Sequence, residues 1–175
     1  MIKEYSLENG EAVDKSKLIY AGRGEEKYMR ARELVVRATH ETFIEYKGGI
    51  LLIERDNFPA KGELWCVGGG IERGVPFEES LRKIVLRECN LNIKNLKFLG
   101  IARDFWNENP WSSEKGIDDI SLVYFAKGEG EVNLDNLHKD PIILKPEDYT
   151  EEFRSKLHPH IRDFLDKSIE IIKNH

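Results

Sequence analysis

Short β-rich runs alternating with two helical patterns predict an α+β or α/β sandwich for this chain, with a mixed β-sheet held between helices. Three observations carry the prediction. The runs Ile50 to Ile53 and Leu122 to Ala126 are apolar and sit in strand-like segments. Two segments, near 77–89 and 159–173, repeat apolar residues at the three-and-four spacing of one helical face. The length of 175 residues, with 40% hydrophobic and 34% charged side chains, suits one packed domain under a solvated surface.

The elements follow in order. Residues 1–33 are polar and read as an N-terminal extension, in which Glu25 to Arg32 is at best a short helix; the domain proper is 34–175. From Leu34 onward Val35, Val36, Thr39, Thr42, Phe43, Ile44 and Tyr46 predict a strand, Lys47-Gly48-Gly49 a turn, and Ile50 to Arg55 the return strand of a hairpin. After the irregular stretch 56–62, Leu64-Trp65-Cys66-Val67 is a short strand that Gly68-Gly69-Gly70 ends as a turn. Pro76 suits a first helical turn, and Phe77, Leu81, Ile84, Val85 and Glu88 share one face of a helix over about 77–89. Strand-like runs come next at 92–105 and 118–127, followed by an acidic loop and a short strand at Ile142-Ile143-Leu144. A final helix over about 159–173 carries Ile161, Phe164, Leu165, Ile169 and Ile172.

Composition narrows the function classes. The longest apolar runs fall far short of the roughly 18–20 residues of a membrane span, so no membrane role is expected. The charged start lacks an apolar core, so no secretory signal is read and a cytoplasmic location is expected. Cys66 and Cys89 form no C-x-x-C pair, which leaves neither a disulfide framework nor a thiolate zinc site. A net charge of −5 and a pI near 5.6 argue against a nucleic-acid partner, which needs a basic surface. A small anionic ligand would need a local basic pocket or a metal.

The segment Gly68-Gly69-Gly70-Ile71-Glu72-Arg73-Gly74-Val75-Pro76, leading into the helix that ends at Glu88-Cys89-Asn90-Leu91, runs strand, glycine loop, helix. Glycines let backbone carbonyls approach a ligand or cation closely, and a helix carboxylate supplies the complementary charge, which is the layout of a Mg²⁺–diphosphate site. This segment resembles the Nudix box, G-x5-E-x7-R-E-U-x-E-E-x-G-U, with Gly69, Val85, Glu88 and Leu91 in register. Val75, Lys83-Ile84, Arg87 and Asn90 stand where the box has its first Glu, its Arg-Glu pair, its penultimate Glu and its late glycine. The helix carboxylates thus reduce to Glu88. The GDP-mannose mannosyl hydrolases are a subgroup that keeps a single helix Glu. This chain is similar to them over about 40–146, in Leu51 to Gly62, in the glycine turn and helix, in Gly100 to Trp106 leading to Ile120 to Tyr124, and in Asp135-Asn136-Leu137-His138.

The resemblance implies a Nudix-type α/β/α sandwich and roles for particular residues. Glu88, with the carbonyl of Gly68 or Gly69, would hold Mg²⁺ or Mn²⁺. Arg55 matches a substrate-binding arginine, and His138 matches a general base suited to accept a proton from water. Trp106 and Trp111 offer stacking faces, and Asp104 takes the place of a further active-site histidine. Gly70 stands where a second arginine would be and Leu137 where a metal-binding Gln would be, for which Asp140 or a water is the substitute. His40, His158, His160 and His175 read as structural or solvated. The resemblance implies a small-molecule nucleotide substrate, GDP-mannose-like, and a homodimer. Two further readings stay open: a pyrophosphohydrolase attacking phosphorus, and a binding module that holds a nucleotide without turnover.

Overall fold

The structure is a computed structural model and describes residues 4, 7–8, 11–12, 25–107 and 116–174; Trp111 and His175 lie outside these. Two short strands, β1 (Leu7–Glu8) and β2 (Glu11–Ala12), pair with each other. Helix α1 (Glu25–Leu34) spans the junction expected at residue 33. The hairpin follows as β3 (Arg37–Tyr46) and β4 (Gly49–Arg55), and its turn places Lys47 and Gly48 at φ 47° and 78°. Both central residues are left-handed, as a two-residue hairpin turn with native twist requires.

Strands β5 (Leu64–Trp65) and β6 (Val67–Gly70) then lead through a loop to helix α2 (Phe77–Cys89). Long strands β7 (Asn92–Trp106) and β8 (Ile117–Glu129) and a shorter β9 (His138–Leu144) complete one mixed seven-stranded sheet. Its path runs β5-β4-β3-β8-β7, with β6 on β3 and β9 on β4, and β3 and β8 are parallel neighbours. A short helix α3 (Glu151–Ser155) precedes α4 (Pro159–Lys173).

The α/β sandwich expected from the sequence is the fold found. Alternation along the central strands sorts their side chains onto two cores. Phe43, Ile50, Leu52, Val123 and Phe125 pack with Ile161, Leu165 and Ile169 of α4. Their chain neighbours Ile44, Leu51, Ile53, Tyr124 and Ala126 pack with Leu81, Val85 and Cys89 of α2. Both sheet faces are therefore covered, which is why the strands read as unbroken apolar runs.

Two local expectations are corrected. The glycines do not form the turn; Gly68, Gly69 and Gly70 are strand β6, paired with Glu41, His40 and Thr39. Their lack of a Cβ serves close approach, since a methyl on Gly68 would stand 2.4 Å from the His40 carbonyl oxygen and 2.8 Å from Glu41 Cα. His138 does not lie in a loop; it opens β9 and is buried, because β9 extends past Pro141 along the outside of β4. Proline is tolerated on such a partly paired strand, and a register shift between Leu52 and Glu54 absorbs it.

Candidate active site

A cavity of about 270 Å³ opens along the ends of β3, β4, β6 and β8, bounded by the start of β9, the C-terminal end of α2 and helix α1. Arg55, Gly68, Gly69, Glu88, Asp104, Trp106 and His138 all line it. The fold thus brings these seven expected residues together. Gly70 and Leu137 line it as well, whereas Asp140 is exposed and does not.

Arg55 and His138 are cross-strand partners in the β4–β9 pair, which sets them side by side. The Asp56 amide donates to the Leu137 carbonyl at 2.9 Å and locks that register. Arg55 Nε donates to the Pro59 carbonyl at 2.8 Å, so the guanidinium is anchored at one edge with its remaining donors left for other acceptors. Burial lowers its pKa, opposed by Glu41 and Glu88.

His138 Nδ1 lies 2.7 Å from Asp135 Oδ1, which also accepts the Leu137 amide at 2.9 Å. An ionised carboxylate only accepts, so Nδ1 carries the proton and Nε2 keeps its lone pair. Burial lowers the His138 pKa against the opposing hydrogen bond and charge of Asp135.

Glu88 continues the buried stripe of α2 and meets strand β6 at its tip. Its Oε2 accepts the Gly68 amide at 3.2 Å, and its Oε1 lies 3.4 Å from the Arg87 guanidinium. Burial outweighs both and pushes its pKa up to about 7. A methyl on Gly69 would come 3.7 Å from Oε1, so the glycine leaves the approach to that oxygen open.

Among the described residues no three His, Cys, Asp or Glu side chains cluster as a complete metal site. The donor set, a carboxylate whose burial outweighs the nearby Arg87 and whose Oε1 is left room by Gly69, fits a hard divalent cation. Such a cation completes its shell with carbonyls, water and substrate phosphate. Across the cavity Arg32, Arg37, Arg55 and Arg87 face Glu41, Glu72, Glu88, Asp104 and Asp119. These side chains alone provide no net positive charge for a diphosphate.

Several lining residues went unread in the sequence. Arg32, from the N-terminal extension, donates to both oxygens of Asp119 at 3.3 and 3.2 Å. Its signal, an arginine in a weakly amphipathic helix, is indistinguishable from a solvated one. Arg37 lies against Gly70, where a methyl would stand 2.4 Å from its guanidinium nitrogen, so an arginine from β3 fills the space over that glycine. Glu41 also lines the cavity; its signal was a charge inside a strand whose neighbours are core.

His160, read as structural or solvated, is buried with Nδ1 2.8 Å from Asp104 Oδ2 and Nε2 2.6 Å from Glu41 Oε2. Burial works against its charge, yet Glu41 and the bond to Asp104 lift its pKa to about 10. Of the other histidines, His40 bonds Ser80 Oγ at 2.9 Å within the core and His158 caps α4.

A sequence model of the NUDIX domain matches residues 34–167. The low-salt glycan biosynthesis protein Agl8 of Haloferax volcanii is 28% identical over 124 residues, 70% of this chain and 76% of that protein. The MutT NUDIX hydrolase from Burkholderia pseudomallei superposes with a TM-score of 0.59 at 19% identity, covering 75% of this chain and 97% of its own. The NUDIX domain of Shewanella oneidensis NrtR, solved in complex with ADP ribose, superposes with a TM-score of 0.58 at 14% identity, covering 86% and 99%. Among the described residues no helix is long and apolar enough to cross a membrane.

Proposed function

The chain belongs to the NUDIX domain family of hydrolases, and from that premise we propose that it is a divalent-metal-dependent nucleotide-sugar hydrolase. Water attacks the anomeric carbon of a GDP-mannose-like substrate and releases nucleoside diphosphate and free sugar. One observation carries the reading: α2 turns a single carboxylate, Glu88, into the cavity, while a histidine with an Asp-fixed tautomer stands on the wall beside Arg55.

Attack at phosphorus is ordinarily served by a cluster of helix carboxylates that manage metals and hydroxide, and here Val75, Ile84 and Arg87 replace them. Attack at carbon needs a base for water and a stabilised diphosphate leaving group. The relation to a protein of glycan biosynthesis supports a glycosylated substrate.

Glu88, with the Gly68 or Gly69 carbonyl, would hold Mg²⁺ or Mn²⁺, which would supply positive charge for a diphosphate leaving group. Arg55 binds the same phosphates through its planar fork and holds the glycosidic bond in place. His138 Nε2 accepts a proton from the attacking water, and Asp135 keeps the imidazole in the productive tautomer and balances the imidazolium as it forms. Asp104 and Trp106 contact the glycosyl half. A homodimer and a cytoplasmic setting belong to the same reading.

Incubation of GDP-mannose with the protein and Mg²⁺ tests it by product identity. GDP and mannose are expected. GMP and mannose 1-phosphate would move the reaction to phosphorus, and binding without any product across a panel of nucleotide sugars would make the chain a binding module.

A further inference from the structure

Strands β3 and β7 are separated in the sheet by β8, yet one carboxylate from each meets a single imidazole from α4. His160 Nδ1 is 2.8 Å from Asp104 Oδ2 and Nε2 is 2.6 Å from Glu41 Oε2. Only the Nδ1 contact is aligned as a hydrogen bond; Nε2 meets Glu41 Oε2 at ion-pair distance, both atoms buried and without another partner. Two carboxylates this close to one ring favour the imidazolium. Glu41 Oε1 is further fixed by the indole N–H of Trp65 at 3.1 Å. The imidazole side chain is 2% exposed, while each carboxylate side chain keeps 14% and lines the cavity. Trp106 lies on the same wall, with its ring stacked against His158, the N-cap of α4.

This wall differs in chemistry from the Arg55 wall. Carboxylates held in place by one imidazole are poor neighbours for a diphosphate and strong acceptors for hydroxyl groups. An aromatic ring beside them presents an apolar surface for the C–H face of a pyranose. Asp104 lines the cavity, and among the described residues its Oδ1 makes no hydrogen bond, which leaves it free to accept one.

We propose that His160 is a positioning residue that holds Asp104 and Glu41 as a paired acceptor for hydroxyl groups of the substrate's glycosyl half. The inference rests on the nucleotide-sugar reading and deepens it. The arginine wall takes the phosphates, the carboxylate wall takes the sugar, and the substrate enters in one orientation. A site built to bond hydroxyls discriminates strongly against ligands that lack them, because its buried acceptors are otherwise left unpaired.

The test is calorimetric binding of GDP-mannose and of GDP, with Mg²⁺, to the wild type, His160→Gln and Asp104→Asn. Glutamine turns its NH2 group toward one carboxylate and its acceptor oxygen toward the other, so it cannot tie both as an imidazolium does. We expect His160→Gln to weaken GDP-mannose roughly 10- to 100-fold while GDP changes less than about twofold. Asp104→Asn, which alters no packing volume, shows the same selectivity if the glutamine variant fails to fold. Equal weakening of both ligands, or of neither, overturns the proposal and leaves His160 as a structural tie. A wild type that binds GDP but not GDP-mannose overturns the nucleotide-sugar reading beneath it as well.

Discussion

His138 and Glu88 are shifted by the same cause, burial, in opposite senses, and each shift makes a prediction. Burial holds the His138 imidazole below the usual histidine value, so its neutral, proton-accepting form persists to lower pH. Turnover should therefore fall only on the acid side, as pH drops through that lowered value. His138→Ala should lose roughly 10²–10⁴-fold in kcat with KM nearly unchanged, and Asp135→Asn a large part of this through the wrong tautomer. A pH–rate profile of the three proteins checks it; full activity in the alanine variant would remove His138 from the chemistry.

For Glu88 the folded-state value is near 7 against 4.5 for the ordinary carboxyl. The protonated form is thus favoured by folding. The associated stability, on the order of 3 kcal/mol, is present at acid pH and is lost as pH rises through about 7. Without divalent cations the melting temperature should decline across that window, and Mg²⁺ should restore it by binding the ionised native form. Glu88→Gln should abolish both the decline and the restoration, which thermal melts at pH 5, 7 and 8 with and without Mg²⁺ will read.

At the scale of elements, the β6–α2 junction forms the proposed cation site, and its glycines have separable tasks. Gly68→Ala drives a methyl into the β3 backbone and should cost about 1–3 kcal/mol, lowering the melting temperature before any question of function arises. Gly69→Ala meets only ordinary contacts at 3.6–3.9 Å, so stability should hold. Its methyl nonetheless stands 3.7 Å from Glu88 Oε1, and the Mg²⁺-induced melting shift should shrink. Equal behaviour of the two variants would contradict this division. The sequence made helix α2 legible to the residue, because Pro76 and a regular apolar stripe bound it. It made the glycines legible as a site but not as a strand, because backbone proximity to His40 and Glu41 is a tertiary fact. The start of β9 was illegible for a related reason: His138-Lys139-Asp140-Pro141 has no strand pattern, and pairing with β4 alone organises it.

For the whole molecule, the sandwich was readable because both faces of its strands are apolar, whereas part of the cavity was not. Asp104 and Glu41 meet only because α4 returns across the sheet with His160, 119 positions after Glu41 in the chain. Arg32 reaches Asp119 only because α1 folds against β8. Such pairings leave no local periodicity. What they do leave is a polar residue on an otherwise core-facing stripe: Glu41 two residues before Phe43 on β3, His160 one turn before Phe164 on α4.

A histidine, one helix carboxylate and an arginine surround the cavity, and in the proposed reaction water attacks carbon there. Hydrolysis of GDP-mannose in oxygen-18 water, with the products weighed by mass spectrometry, decides between carbon and phosphorus. Label in the released hexose, with unlabelled GDP, is the predicted result; label in a phosphate of either product would contradict it.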